Sequence, residues 1–215
     1  MTLNSQLFCN FANEPIHSNI RTMAKVYVFL ADGFEDIEAL APIDILRRGG
    51  MEVITTSVMP SDVVVSAHGV SVLADALFDD IPTFDDADLM VLPGGMPGAA
   101  NLFAHKGLCQ ALLNQQERGG RIAAICAAPA VVLAPLGILD GKRATCYPGF
   151  EQAFVNTDYT ANLVTVDGLV TTACGPGAAM AFGYELLAQL GAGTTAEALK
   201  EGMMYNKCLK SGASC

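Results

Sequence analysis

Short apolar runs alternate with amphipathic stretches along most of the chain. Lys25–Leu30 (KVYVFL) is a β-rich run that stops at the turn Ala31-Asp32-Gly33. Glu35–Arg48 has helical spacing, with Ile37, Leu40, Ala41, Ile45 and Leu46 on one stripe, and Gly49-Gly50 closes it. Glu52–Ser57 reads as a second strand. Val63–Ser66 and Val70–Ala74 flank Ala67-His68-Gly69 as a small hairpin. Asp88–Leu92 and Arg121–Ile125 are further buried strands, with a helix over Leu108–Arg118 between them. A helix over Ala127–Leu136 follows, then strands at Arg143–Cys146, Leu163–Val166 and Leu169–Ala173, and helices at Ala178–Leu190 and Ala196–Met204. Strands that alternate with helices long enough for crossovers predict an α/β fold, with a mostly parallel sheet covered on both faces. Ligands of such sheets sit beyond the carboxyl ends of the strands. Four segments there are candidates: Asp32–Glu38, Gly94–Ala99, Cys126–Ala128 and Cys174–Gly177.

Composition narrows the classes of partner. The 215 residues are 52% hydrophobic, enough for a sizeable core. The net charge of −10 repels phosphate backbones and anionic lipid, so neither nucleic acid nor a membrane is an expected partner. The uncharged stretch from Ile122 to Leu139 has the length of a membrane helix, but Pro129, Pro135 and Gly137 interrupt it. Seven cysteines without CxxC spacing suggest neither a disulfide framework nor a zinc site, and fit a reducing, cytoplasmic compartment. Residues 1–22 lack the regions of a secretion signal and are expected to be a flexible leader or an upstream-start extension. A single domain is expected over 23–206, with a flexible tail at 207–215.

Cys126 lies where a buried strand turns into a helix. A nucleophile elbow needs small residues two positions on either side, and Ala124 and Ala128 satisfy that. The N–H groups of a helix start favour thiolate, and that of Ala127 is placed to help hold an oxyanion. The alternative is a buried cysteine that only fills space. The histidines, His17, His68 and His105, all precede Cys126, which excludes a triad with a downstream His. Carboxylates are the remaining proton carriers. Glu35 and Asp36 fit the capping of a helix start. Glu38 stands out because Pro42, four residues later, cannot donate an N–H to its carbonyl, so a local disruption would aim its side chain at the site. A buried carboxyl with raised pKa could hold or move a proton there. Pro93-Gly94-Gly95 ends a strand and can offer a backbone N–H to an oxyanion or be a plain turn. Gly175-Pro176-Gly177 can cradle an anion or serve close packing. Neither matches a P-loop or GxGxxG, and no cofactor or metal is implied.

The blocks VYVFLADGFEDIEALAPIDILRRGG, LMVLPGG, GRIAAICAAPAVVLAPLGIL and TTACGPGAAMAFGYELL, in this order, resemble the DJ-1/ThiJ/PfpI superfamily, in particular its DJ-1-like bacterial branch. The resemblance covers about Met23 to Met204. It implies a flavodoxin-like three-layer α/β/α sandwich and a homodimer. It maps the family's reactive, easily oxidised cysteine onto Cys126, the protonated glutamate beside it onto Glu38, and an oxyanion-hole amide onto Gly95, with Gly94 in the same turn. Protease-like members carry a His where this chain has Ala127. Tyr147 stands where some relatives have a His, His68 where many have an Arg, and Cys174 where some have an Arg, so these three are candidate pocket residues. The activity implied is cofactor-independent glyoxalase or deglycase action on small 2-oxoaldehydes such as methylglyoxal, or on glycated substrates, in stress protection. The rival is an oxidative-stress sensor or chaperone whose cysteine oxidises to sulfinic acid without significant turnover.

Overall fold

The computed structural model describes residues 23–210. The expected leader at 1–22, with His17 and Cys9, and residues 211–215 lie outside the described residues. Strands β1 (Lys25–Leu30), β2 (Glu52–Ser57), β5 (Ala76–Leu77), β6 (Leu89–Leu92), β7 (Arg121–Ile125), β10 (Val164–Asp167) and β11 (Val170–Ala173) form one sheet in the order β10-β11-β7-β6-β1-β2-β5. Every pairing in it is parallel except β10 with β11. Leaving out the edge strands β5 and β10, the order is that of flavodoxin-like doubly wound sheets.

Helices α1 (Asp36–Arg48) and α4 (Ala179–Leu187) pack together over one face of the sheet, and α2 (Gly98–Ala104) and α3 (Lys106–Glu117) over the other, which gives the expected three layers. The central strands are apolar on both faces because both are covered: Val26, Val28 and Phe29 of β1 and Leu92 of β6 are fully buried. Hairpin strands β3 (Val63–Val65) and β4 (Ser71–Leu73) stand apart as a small sheet. It is tied to the loop after β1 by Val65 N–H to Asp32 Oδ1 (2.8 Å) and Gly33 N–H to the Val65 carbonyl (2.8 Å).

Several expectations are corrected. The strand expected at Arg143–Cys146 is the two-residue β8 (Arg143–Ala144), paired outside the main sheet with β9 (Asp158–Tyr159). The helix expected over Ala127–Leu136 shrinks to a π-helical segment at Pro129–Leu133, because Pro129 at its first turn and Pro135 just beyond restrict the backbone. Helix α1 is not interrupted at Pro42. Instead Pro42 marks the close crossing with α4, where a Cβ on Gly183 would lie 3.1 Å from the Pro42 Cα and 2.8 Å from Ile45 Cδ1. Helix α5 (Gly193–Gly202) is followed by α6 (Tyr205–Lys210), so 207–210 is helical where a loose tail was expected. Tyr205 anchors it by packing its ring 5.1 Å from that of Tyr184. Among the described residues, no helix is long and apolar enough to cross a membrane.

Candidate active site

Four neighbouring strands, β1, β6, β7 and β11, end on the same side of the sheet, and the segments that follow them carry Glu38, Gly94-Gly95, Cys126-Ala127 and Cys174. Cys126 has φ +65°, the sharp left-handed turn of an elbow, which a non-glycine residue adopts only when its surroundings hold it. Two backbone bonds do so: its N–H donates to the Ala173 carbonyl and its carbonyl accepts from the Tyr147 N–H, each at 2.8 Å. Ala124 and Ala128 are fully buried, in keeping with the need for small residues there. Cys126 itself is 8% exposed, so it is enclosed without being sealed.

Glu38 lies in the first turn of α1 and is fully buried. Glu35 caps that turn by accepting the Glu38 N–H at 2.8 Å, as its position predicted. The Glu38 side chain points inward because it falls on the sheet-facing side of α1, not because the helix breaks. Its Oε2 accepts the Gly94 N–H at 3.0 Å, while Oε1 is buried with no partner in ordinary hydrogen-bond geometry. Burial pushes the carboxyl up to about 7, aided by repulsion from Glu35 and opposed by its contacts with the Cys126 thiol and the Gly94 N–H.

The thiol departs from expectation. Burial, then the charge and hydrogen bonding of Glu38, hold Cys126 at about 12, and the N–H groups of Gly95 and Ala127 that point at the sulfur oppose this only in part. The expected pull of a helix start is weak because only a five-residue π segment follows. Between the two titrations the Cys126–Glu38 pair holds one proton, which these affinities place on the sulfur, so the thiolate is the minor arrangement, reached when that proton passes to Glu38.

The amides divide their work. Those of Gly95 and Ala127 are aimed at the sulfur, whereas Gly94 spends its N–H on Glu38. Both glycines of the turn are required. A Cβ on Gly94 would sit 2.6 Å from the Cys126 Cβ and 2.6 Å from Glu38 Oε2, and Gly95 has φ +88°.

The three candidate pocket residues fare differently. Cys174, partly exposed, follows β11 directly, one residue past the Ala173 that pairs with Ile125, and its thiol is raised by burial and also by the Glu38 charge. Tyr147 is 45% exposed and its ring lies over Gly175, 3.1 Å from where a Cβ would stand. His68 is turned away to Asp36, with Nδ1 2.8 Å from Asp36 Oδ2, and Ser66 Oγ donates to the same carboxylate at 2.6 Å. His105 caps α3 by accepting the Leu108 N–H at 3.0 Å. Among the described residues, Glu35, Asp36 and His68 form the one group with ligand atoms close enough to hold a metal ion. The side chains of these three residues are used in the cap and the hairpin contact.

The sequence reading missed α2, which secures the loop after β1. Asn101 Nδ2 donates to the Asp32 carbonyl at 2.8 Å, and the Gly98 N–H to the Gly33 carbonyl at 3.1 Å. The small residues Gly98-Ala99-Ala100 were its signal: a Cβ on Gly98 would stand 2.6 Å from the Phe34 nitrogen.

Comparison with known proteins agrees with this fold. The sequence profile of the DJ-1/PfpI family matches residues 24–189. Protein DJ-1 homolog B of Arabidopsis thaliana is 42% identical over 168 residues, 77% of this chain but 38% of the plant protein, so this chain spans well under half of that relative's length. A solved structure of oxidized Toxoplasma gondii DJ-1 superposes with a TM-score of 0.81 at 36% identity, covering 84% of this chain and 98% of the other. A Pyrococcus abyssi protein named a deglycase is 32% identical over 146 residues, 67% of this chain and 86% of its own length.

Proposed function

The chain belongs to the DJ-1/PfpI family, and from that premise we propose that it is a cysteine-dependent, cofactor-independent glyoxalase or deglycase acting on small 2-oxoaldehydes such as methylglyoxal in stress protection. The observation that carries this reading is the pairing of an elbow cysteine with a fully buried glutamate whose proton affinity is raised to about 7.

Cys126 passes its proton to Glu38 and the sulfur adds to the aldehyde carbon, which leaves the former aldehyde oxygen as an oxyanion beside the Gly95 and Ala127 N–H groups. The oxyanion is protonated to give a hemithioacetal. Glu38, having given its proton to that oxyanion, takes the hydrogen on the sulfur-bearing carbon to form an enediolate and returns it to the neighbouring carbon, while the hydroxyl proton passes from the first oxygen to the second. The sulfur-bearing carbon is then a thioester. Water hydrolyses it, releases the 2-hydroxy acid and restores the thiol. Cys126→Ser and Glu38→Gln should each abolish methylglyoxal consumption, and retained turnover in either variant would defeat this mechanism.

A second reading draws support from the oxidized Toxoplasma relative: a sensor whose Cys126 passes to sulfinic acid without significant turnover. Graded peroxide followed by intact mass, run beside the aldehyde assay, separates the two. Homodimer formation and a cytoplasmic location belong to the same proposal. Sedimentation velocity of the full chain tests the first, and fractionation of the source cells the second.

A further inference from the structure

Beyond both readings, we propose that Cys174 is a resolving cysteine for Cys126, so that the site carries out dithiol chemistry with hydroperoxides. The proposal needs a sulfur at Cys126 that attacks peroxide. It does not depend on aldehyde turnover.

The geometry comes from the strand register. β11 pairs in parallel with β7, and Ala173 lies opposite Ile125 at the last paired position. One residue further on, Cys174 follows Ala173 and Cys126 follows Ile125, and the Cys126 N–H still donates to the Ala173 carbonyl at 2.8 Å. The ladder therefore carries the two cysteines into neighbouring positions as both strands end. Neighbouring strands lie about 4.8 Å apart, inside the range of about 4.4–6.8 Å between the Cα atoms of disulfides. The Glu38 charge also reaches both thiols and raises the proton affinity of each. Cys174 is partly exposed, whereas Cys146, the other thiol in this region, is fully buried.

The Cys126 sulfur attacks a hydroperoxide oxygen, the O–O bond breaks, and the products are Cys126 sulfenic acid and an alcohol or water. The Cys174 sulfur then attacks the sulfenic sulfur. An S–S bond forms, the S–O bond breaks, and the thiol proton leaves with the hydroxyl as water. A small dithiol returns both cysteines to thiols by exchange. Cys174 thus captures the sulfenic stage before a second peroxide makes it sulfinic.

The test treats the full chain with graded hydrogen peroxide and reads intact mass and cysteine-linked peptides, with and without a dithiol. Wild type is expected to lose two hydrogens, to yield a Cys126–Cys174 linked peptide, and to recover fully with the dithiol. Cys174→Ser is expected to accumulate irreversible dioxygenated Cys126 at least about tenfold faster than wild type, whereas Cys146→Ser keeps the link. Dioxygenation of wild type at the rate of Cys174→Ser would overturn the proposal, and so would a link that survives in Cys174→Ser but vanishes in Cys146→Ser. Because the readout is mass, the result is independent of methylglyoxal turnover.

Discussion

The backbone N–H of Gly94 lies 3.0 Å from Glu38 Oε2, which binds the turn after β6 to a side chain of α1 from 56 residues away. That bond sets the direction of the carboxyl, and the missing side chain at Gly94 leaves room for it. Gly94→Ala would place a methyl group 2.6 Å from both Oε2 and the Cys126 Cβ. The variant is expected to lose at least about tenfold in kcat/KM for methylglyoxal and about 1–3 kcal/mol of stability from overpacking. Steady-state kinetics and denaturant unfolding check the two together.

Glu38 ties stability to pH. Its folded pKa, about 7, is raised above the ordinary value of 4.5, so the native state binds the proton more tightly than the unfolded chain. The contribution is therefore present in full below 4.5 and is lost as pH rises to 7, a fall of up to about 3 kcal/mol. Glu38→Gln should flatten this part of the profile. A wild-type unfolding free energy that does not decline across that window would contradict the assignment.

Alkylation of Cys126 reports the shared proton. In wild type the rate should rise as the pair loses its first proton near pH 7, level off, and rise again only toward pH 12. In Glu38→Gln the first step should disappear and the thiol should titrate below 12, because the charge that raised it is gone. A single wild-type rise at the ordinary thiol value would show an uncoupled cysteine.

His68 is held by Asp36 at the exposed hairpin, 2.8 Å from its carboxylate. His68→Ala should therefore change KM and kcat for methylglyoxal little, in contrast to Glu38→Gln. A loss comparable to that of Glu38→Gln would return His68 to the site.

Gly183 admits α1 to α4, with Pro42 and Ile45 of α1 against it. Gly183→Leu should cost about 1–3 kcal/mol or more through overpacking. Activity per folded molecule should be kept, as measured by unfolding and by turnover normalised to folded protein.

The alternation of buried runs and amphipathic stretches determined the layers, the parallel sheet and the side on which a site would lie, because burial on both faces of a parallel strand leaves a local pattern. The sequence also marked the elbow at Cys126, since a left-handed turn inside a packed core admits only small neighbours. Tertiary structure alone decided the rest. The carboxyl that faces Cys126, the N–H that Gly94 yields to Glu38, and the helix that Pro42 touches all depend on segments far apart in the chain. The proton affinity of the sulfur followed the same logic. A helix start argues locally for thiolate, but desolvation and a buried acid outweigh it, and both arise only when distant strands close around the site. Cys174 took on meaning in the same way, once β11 was seen to end beside β7.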